Sequence, residues 1–302
     1  MKAIQPSLLP DAVPGIRQQI VLRRRQKKPR AVVLKVLFLG GGLQSSLVVE
    51  MALAGELERP DLVIFNDTRD EPGWVYQQVG SLRNRLTVAG IAFVQPVATC
   101  WGIMEDLQST DIHGSMPVFV QNVDGTVGRL RRQCTDYYKV KPGNLAIRWH
   151  LVRNGVIPPR PGTSLQTFGW PPATELYEGN NPVAWEDYAM MLPPIPRTMA
   201  VECWYGYTTD EKLRAARKGL PAWQVARYPL LEKGMSRNDC MHWYEARGRR
   251  TPLKSACIQC PYRNDEAWLW MKQTMPDAFE IACRSDEALR ARVSAAKLSN
   301  DG

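Results

Sequence analysis

The stretch Val32-Val33-Leu34-Lys35-Val36-Leu37-Phe38-Leu39-Gly40-Gly41-Gly42-Leu43-Gln44-Ser45-Ser46 governs the reading of the chain. Its first eight residues are apolar apart from Lys35 and rich in valine, the pattern of a strand buried on both faces. Three glycines end the strand, and a helical pattern covers residues 45–55. Glycines let a backbone approach an anion closely, and a helix N-terminus offers unpaired N–H groups and a favourable dipole. A strand, a glycine loop and a helix in that order are therefore expected to hold phosphate. The loop is not a Walker A loop, since no Gly-Lys-Ser/Thr follows, and it is not a dinucleotide fingerprint. A tight turn with no ligand is the alternative.

Outward from this stretch, strands are expected at residues 62–65 and 91–94, with an amphipathic helix at 73–89 between them. Strand and helix alternating at this spacing imply an α/β, Rossmann-like parallel sheet with helices on both faces. Residues 158–196 hold nine of the 23 prolines and no apolar period, so they read as a long functional loop or partner surface. Strand character resumes at 199–204, and helices are expected at 210–218, 236–247, 265–274 and 286–297. The chain thus divides into a basic arm at 1–30, a nucleotide-binding core at 31–157, a proline-rich insertion at 158–198, and at 199–302 the end of the core with a helical, cysteine-bearing C-terminal part.

The 302 residues are 44% hydrophobic and 23% charged, which excludes a collagen, a simple coiled coil and disorder throughout. The formal charge of +9 is concentrated: residues 1–30 carry eight Lys/Arg against one Asp, leaving +2 for the rest. That arm either touches a polyanion or is a solvated tail. A second basic stretch, residues 129–153, sets seven Lys/Arg against Asp136. The basic run before residue 31 imitates a signal peptide, but Lys35 interrupts its apolar part and no small-residue cleavage site follows. No run of 18 apolar residues exists, so no membrane span is expected.

Seven cysteines, an odd number without a secretory signal, point to a reducing cytoplasm and to metal ligation before disulfides. Cys257-x-x-Cys260-Pro261 is a chelating pair that suits zinc, iron–sulfur or redox chemistry alike. Cys100, Cys203 and Cys283 read as structural. His113, His150 and His242 are too few for a histidine-rich centre, and Trp268 and Trp270 read as core or as cover for the cysteine site.

Four segments together carry a resemblance. Residues 40–46 resemble the Ser-Gly-Gly-x-Asp-Ser pyrophosphate loop of the adenine nucleotide α-hydrolase-like (PP-loop) superfamily, which includes phosphoadenosine phosphosulfate reductases and ATP-dependent sulfurtransferases. Phe65-Asn66-Asp67-Thr68-Arg69-Asp70-Glu71 is similar to the Asp-Thr-Gly segment beside the adenine site. Arg132-Gln133-Cys134-Thr135 with Tyr138-Lys139 resembles the reductase Arg-x-Cys-Thr…Tyr-Lys segment. Lys254-Ser255-Ala256-Cys257-Ile258-Gln259-Cys260-Pro261-Tyr262 is similar to the family's Cys-x-x-Cys-Pro. Gly40 stands for the loop's usual Ser and Gln44 for its Asp, which marks a variant branch common in phage and mobile elements.

The resemblance implies a HUP-type core that binds ATP with Mg²⁺. Gly40, Gly41, Gly42, Ser45 and Ser46 would hold phosphates, Asp67 and Thr68 the adenine side, and Arg132 a phosphate or sulfate. Gln44, Ser45 and Lys139 are the implied catalytic residues, with Arg129, Arg131, Arg214 and Arg227 as further anion holders. Cys134, Cys240, Cys257 and Cys260 would ligate a [4Fe-4S] cluster, or Zn²⁺ in the alternative. The implied activity is adenylation followed by sulfur transfer to DNA or tRNA, fed by a donor such as a cysteine desulfurase, in a chain that is compatible with a homodimer. The alternatives are a phosphosulfate reductase, although no cysteine follows Cys283 to serve as its tail nucleophile, and a non-catalytic binding module. Gly41→Asp is expected to abolish ATP binding and spare the fold.

Overall fold

The computed structural model describes residues 30–97, 103, 119–121, 124–129, 133–163, 192–216 and 219–300. Nearly all of the basic arm, residues 164–191 of the proline-rich stretch, and Cys100, His113, Arg131 and Arg132 lie outside the described residues. The opening elements alternate as their apolar patterns require: β1 (Ala31–Phe38), α1 (Leu43–Leu53), β2 (Leu62–Ile64), α2 (Gly73–Val88) and β3 (Ala92–Val94). An antiparallel ribbon of β4 (Phe119–Gln121) and β5 (Val127–Arg129) precedes a π-helical turn at Asp136–Val140 and α3 (Lys141–Arg153). Then come β6 (Met199–Trp204), α4 (Lys212–Ala215), β7 (Gln224–Arg227), α5 (Pro229–Glu232) and α6 (Arg237–Glu245). Two helices close the chain, α7 (Asp265–Thr274) and α8 (Pro276–Asn300).

Strands β3, β2, β1, β6 and β7 form one sheet in that order, every neighbouring pair parallel. Strand period sorts the side chains. Leu34 and Val36 of β1, Leu62 and Ile64 of β2, and Val201 and Cys203 of β6 pack with Ala146, Ile147 and Leu151 of α3 on one face. Leu37, Val63 and Trp204 face the other way, onto α1, α2, α5 and α6. Central β1 is thus covered on both sides, which accounts for its unbroken apolar sequence.

The strand order reverses between β1 and β6, and in open parallel sheets the crevice beyond the carboxyl ends of such strands is where ligands sit. The glycine loop leaves β1 at that point, and Tyr205-Gly206-Tyr207-Thr208 leaves β6 beside it. Glu50 of α1, 4% exposed, is gripped by Arg85 of α2 and by Arg249, so the segment leading to residue 254 is tied down over the first helix.

Two expectations change. The helix expected at 210–218 is only a 3₁₀ turn at Thr209–Glu211 followed by four-residue α4, and the one expected at 286–297 is part of α8, which begins at Pro276 because a first-turn proline lacks an N–H that the helix does not need. Among the described residues no helix is long and apolar enough to cross a membrane.

Candidate functional site

The glycine loop is built to close approaches. Gly41 has φ +72°, and a Cβ there would stand 2.6 Å from Val75 Cγ1 and 3.2 Å from Val79 Cγ2. Its open side faces the core, so an aspartate at 41 would damage the fold itself, contrary to the expectation above. A Cβ on Gly42 would meet Ser255 at 3.0–3.1 Å, and one on Gly206 would come within 2.7 Å of the Ser45 backbone nitrogen. Gly206 therefore meets the backbone of residues 44–45, and Ser255 that of Gly42. The Gly40 N–H donates to Ser45 Oγ at 2.9 Å, so Ser45 braces the loop, while Ser46 is fully buried with no partner for its hydroxyl.

No side chain caps α1, whose N-cap is Gly42, whereas α6 starts on a Ser236/Asp239 capping box and α7 on Asn264. The first-turn amides of α1 thus keep their capacity for an anion. Gln44 does not point freely from that turn: its amide nitrogen donates to Thr208 Oγ1 (3.1 Å) and to Glu211 Oε2 (2.7 Å). A carboxylate at 44 would face Glu211, which gives Gln its physical reason.

The second wall is the loop after β2. Asp67, buried, accepts from the Arg69 N–H (2.7 Å), Tyr76 OH (2.8 Å) and Gln95 Nε2 (3.0 Å). Burial and that carboxylate push the Tyr76 phenol far above its ordinary pKa. Asp67 is therefore a bracket that holds the loop, with both oxygens engaged. Arg69 takes φ +59°, which turns the chain so that the Asp70 carbonyl accepts the Ile258 N–H at 2.7 Å.

That bond docks the Cys-x-x-Cys turn. The Cys260 N–H closes the turn on the Cys257 carbonyl at 3.0 Å, and Arg263 Nη2 donates to the carbonyls of Ala256 and Cys257 at 2.8 and 3.1 Å. Cys257 Sγ lies 3.4 Å from Thr68 Oγ1 and 3.8 Å from Glu71 Oε1. Glu71 is buried; Oε1 pairs with Lys139 Nζ at 3.0 Å, and Oε2 has no partner. Burial first, then the Glu71 charge, push the Cys257 thiol up to about 12, with Lys139 and the Thr68 hydrogen bond pulling the other way.

Of the implied metal ligands, Cys134 and Cys257 both pack against Ile103 and Tyr138. Cys240 is 0% exposed in the core on the α6 side, and burial pushes its thiol up to about 12. It is not grouped with the other three. Among the described residues no three His, Cys, Asp or Glu are placed to hold a metal ion. Arg214 pairs with Glu211 and stacks on Tyr207, and Arg227 is held by Glu58, Glu202 and Glu232, so both are engaged in ion pairs. Arg132 and Arg131 fall outside the described residues. Cys203 is core, as expected, but Cys283 is only half-buried, and Trp270 is 40% exposed.

Sequence reasoning did not assign Glu71, Ser255, Gly206, Glu211 or Arg263. Glu71 and Ser255 stood inside motifs already singled out, and Gly206 follows a buried strand at the switch point, a signal as plain as that of Gly40. No family model, curated protein or solved structure matches the chain.

Proposed function

We propose that the chain is an ATP-dependent, adenylating enzyme of the PP-loop type whose chemistry passes to sulfur at Cys257. One observation carries the reading: the Lys254–Tyr262 segment, some 200 residues distant in sequence, packs by Ser255 on the glycine loop and by Ile258 and Cys257 on the loop of Asp67–Glu71. Two motifs with separate chemical meanings share one crevice.

In this reading the amides of the glycine loop and first turn of α1 receive the β- and γ-phosphates. Mg²⁺ bound to the triphosphate would supply charge neutralisation to the leaving pyrophosphate. An acceptor oxygen attacks the α-phosphorus and the bond to pyrophosphate breaks; a persulfide on Cys257, loaded by an outside sulfur donor, then attacks the activated acceptor and displaces AMP, and Cys260 breaks the S–S bond, leaving a Cys257–Cys260 disulfide for an outside thiol to reduce. Glu71 is the group beside Cys257 that takes the proton from its sulfur, and Lys139 balances the negative charge then left on that sulfur. A four-thiolate cluster does not fit the residues as arranged, because Cys240 belongs to a different packing layer, and no step is routed through one.

The anchored Gln44 favours one second reading, a nucleotide-binding module without turnover. Pyrophosphate release from γ-labelled ATP, measured with and without nucleic acid, separates the two. Release above the no-protein rate that persists in Cys257→Ala, with sulfur transfer lost in that variant, supports the enzyme. Tight ATP binding without release supports the module, and sulfite release from a phosphosulfate nucleotide would replace both with a reductase.

A further inference from the structure

A cavity of about 480 Å³ lies between the Cys257–Cys260 turn, α7, α8 and β4, lined among others by Gln259, Trp268, Phe279, Ala282, Cys283 and Leu289. Gln259 is 5% exposed, and neither its amide oxygen nor its amide nitrogen has a hydrogen-bond partner. An amide buried in this way costs stability unless a ligand satisfies it. Part of the cavity wall is aromatic, with Trp268 and Phe279 edge to face at 6.2 Å, and the ion pair of Asp286 and Arg290 at 2.7 Å also lines it. Cations stand over both rings: Arg263 over Trp268 and exposed Lys272 over Phe279, each at 5.7 Å from the centroid.

We infer that this cavity receives a nucleobase of an unpaired nucleic-acid strand. The inference rests on the proposed function for its biological sense but not for its geometry. A glutamine amide sets one donor beside one acceptor, the arrangement that pairs bidentately with a base edge. Flat aromatic walls suit a planar ring taken out of its stack. Exposed Lys272 beside Phe279, and Arg290 in the cavity lining, supply positive charge for the phosphates flanking that base. Gln259 is the middle of the turn that also carries Cys257 and Cys260, so the base is held by the backbone that holds both thiols. A base inside a duplex cannot reach Gln259, and single strands are the expected ligand.

The test uses the full chain and fluorescent 12-mers of dA, dC, dT and rA, single-stranded and, for dA with dT, as duplex. Gln259→Leu, close in volume, is expected to weaken single-strand binding on the order of tenfold while its thermal midpoint stays level or rises. Saturating single strand is expected to slow alkylation of Cys283, read by mass spectrometry of the peptide spanning 273–284; this arm uses the unaltered protein and stands even if the variant misfolds. Equal binding of duplex and single strand, an unprotected Cys283, or wild-type affinity in folded Gln259→Leu would each overturn the proposal. Protection of Cys283 by ATP alone would do so too, by giving the cavity to the nucleotide. ATP titrated in parallel keeps the readings apart: failed ATP binding with oligonucleotide binding that still depends on Gln259 sinks the adenylating enzyme and leaves this site standing.

Discussion

Gln44 and Glu71 show how single side chains set the chemistry of the crevice. Gln44→Asp would replace the amide that donates to Glu211 at 2.7 Å by a carboxylate one methylene nearer the backbone, trading a hydrogen bond for a nearby like charge. It is expected to lower stability by about 1–2 kcal/mol in urea denaturation, and Gln44→Asp with Glu211→Gln is expected to recover most of that. Additive losses in this cycle would show that the two residues do not interact. At Glu71, substitution by Gln removes a negative neighbour from Cys257 and leaves the positive charge of Lys139 beside it. The thiol pKa should then fall from about 12. Cys257 should alkylate faster at pH 8, on the order of tenfold for each unit of the fall, and Lys139→Met should slow it. A rate unchanged by Glu71→Gln would remove the carboxylate from the account. The residues Asp67-Thr68 and Cys257 were legible as motifs, but the role of Glu71 was not, because its partner lies 186 positions away and only the folded chain brings them together.

At the scale of elements, the β1–α1 unit is readable from the chain because its apolar run and glycines are local facts. α3 is not, since Lys141-Pro142-Gly143 opens it with two residues that resist helix, and Pro142 is accommodated only because it sits in the first turn. Strand β7 escapes for want of apolar residues, Val225 and Ala226 being its only two. The contact of Gly206 with the start of α1 predicts that Gly206→Ala costs about 1–3 kcal/mol, the usual penalty for overpacking. Gly40→Ala, whose Cβ would find Ser45 Oγ at 3.5 Å and Ser255 Oγ at 3.8 Å, should stay within about 0.5 kcal/mol. Equal stability of the two variants would contradict the packing of β6 on the loop. The placement of Cys240 in the α6 layer predicts that any metal found in anaerobically prepared protein survives Cys240→Ala and is lost in Cys257→Ala; elemental analysis decides it.

For the whole molecule, strand and helix alternation made the parallel sheet legible, while the order β3-β2-β1-β6-β7 was not, because which edge a later strand joins depends on packing across the long stretch between β3 and β6. Burial also gives the molecule a pH signature. Cys203, Cys240 and Cys257 are each pushed up to about 12 from an ordinary 9.0, desolvation leading in every case. Unfolded thiols ionise near 9 and folded ones do not until about 12, so their stabilisation is intact below pH 9 and drains away between 9 and 12. The thermal midpoint under reducing conditions should be level from pH 7.5 to 8.5 and fall by pH 10.5, less steeply in Cys203→Ala; a flat profile would contradict the burial. The central claim is that the crevice at the β1–β6 switch point holds the phosphates of an adenine nucleotide. Calorimetric titration of the full chain with ATP and Mg²⁺, for wild type and for Gly40→Asp, tests it most directly, because position 40 has room for a side chain whose charge would repel phosphate. One bound ATP per chain in wild type, with no measurable binding to the folded variant, is the expected result; no binding to wild type, or equal affinity in both, would contradict it.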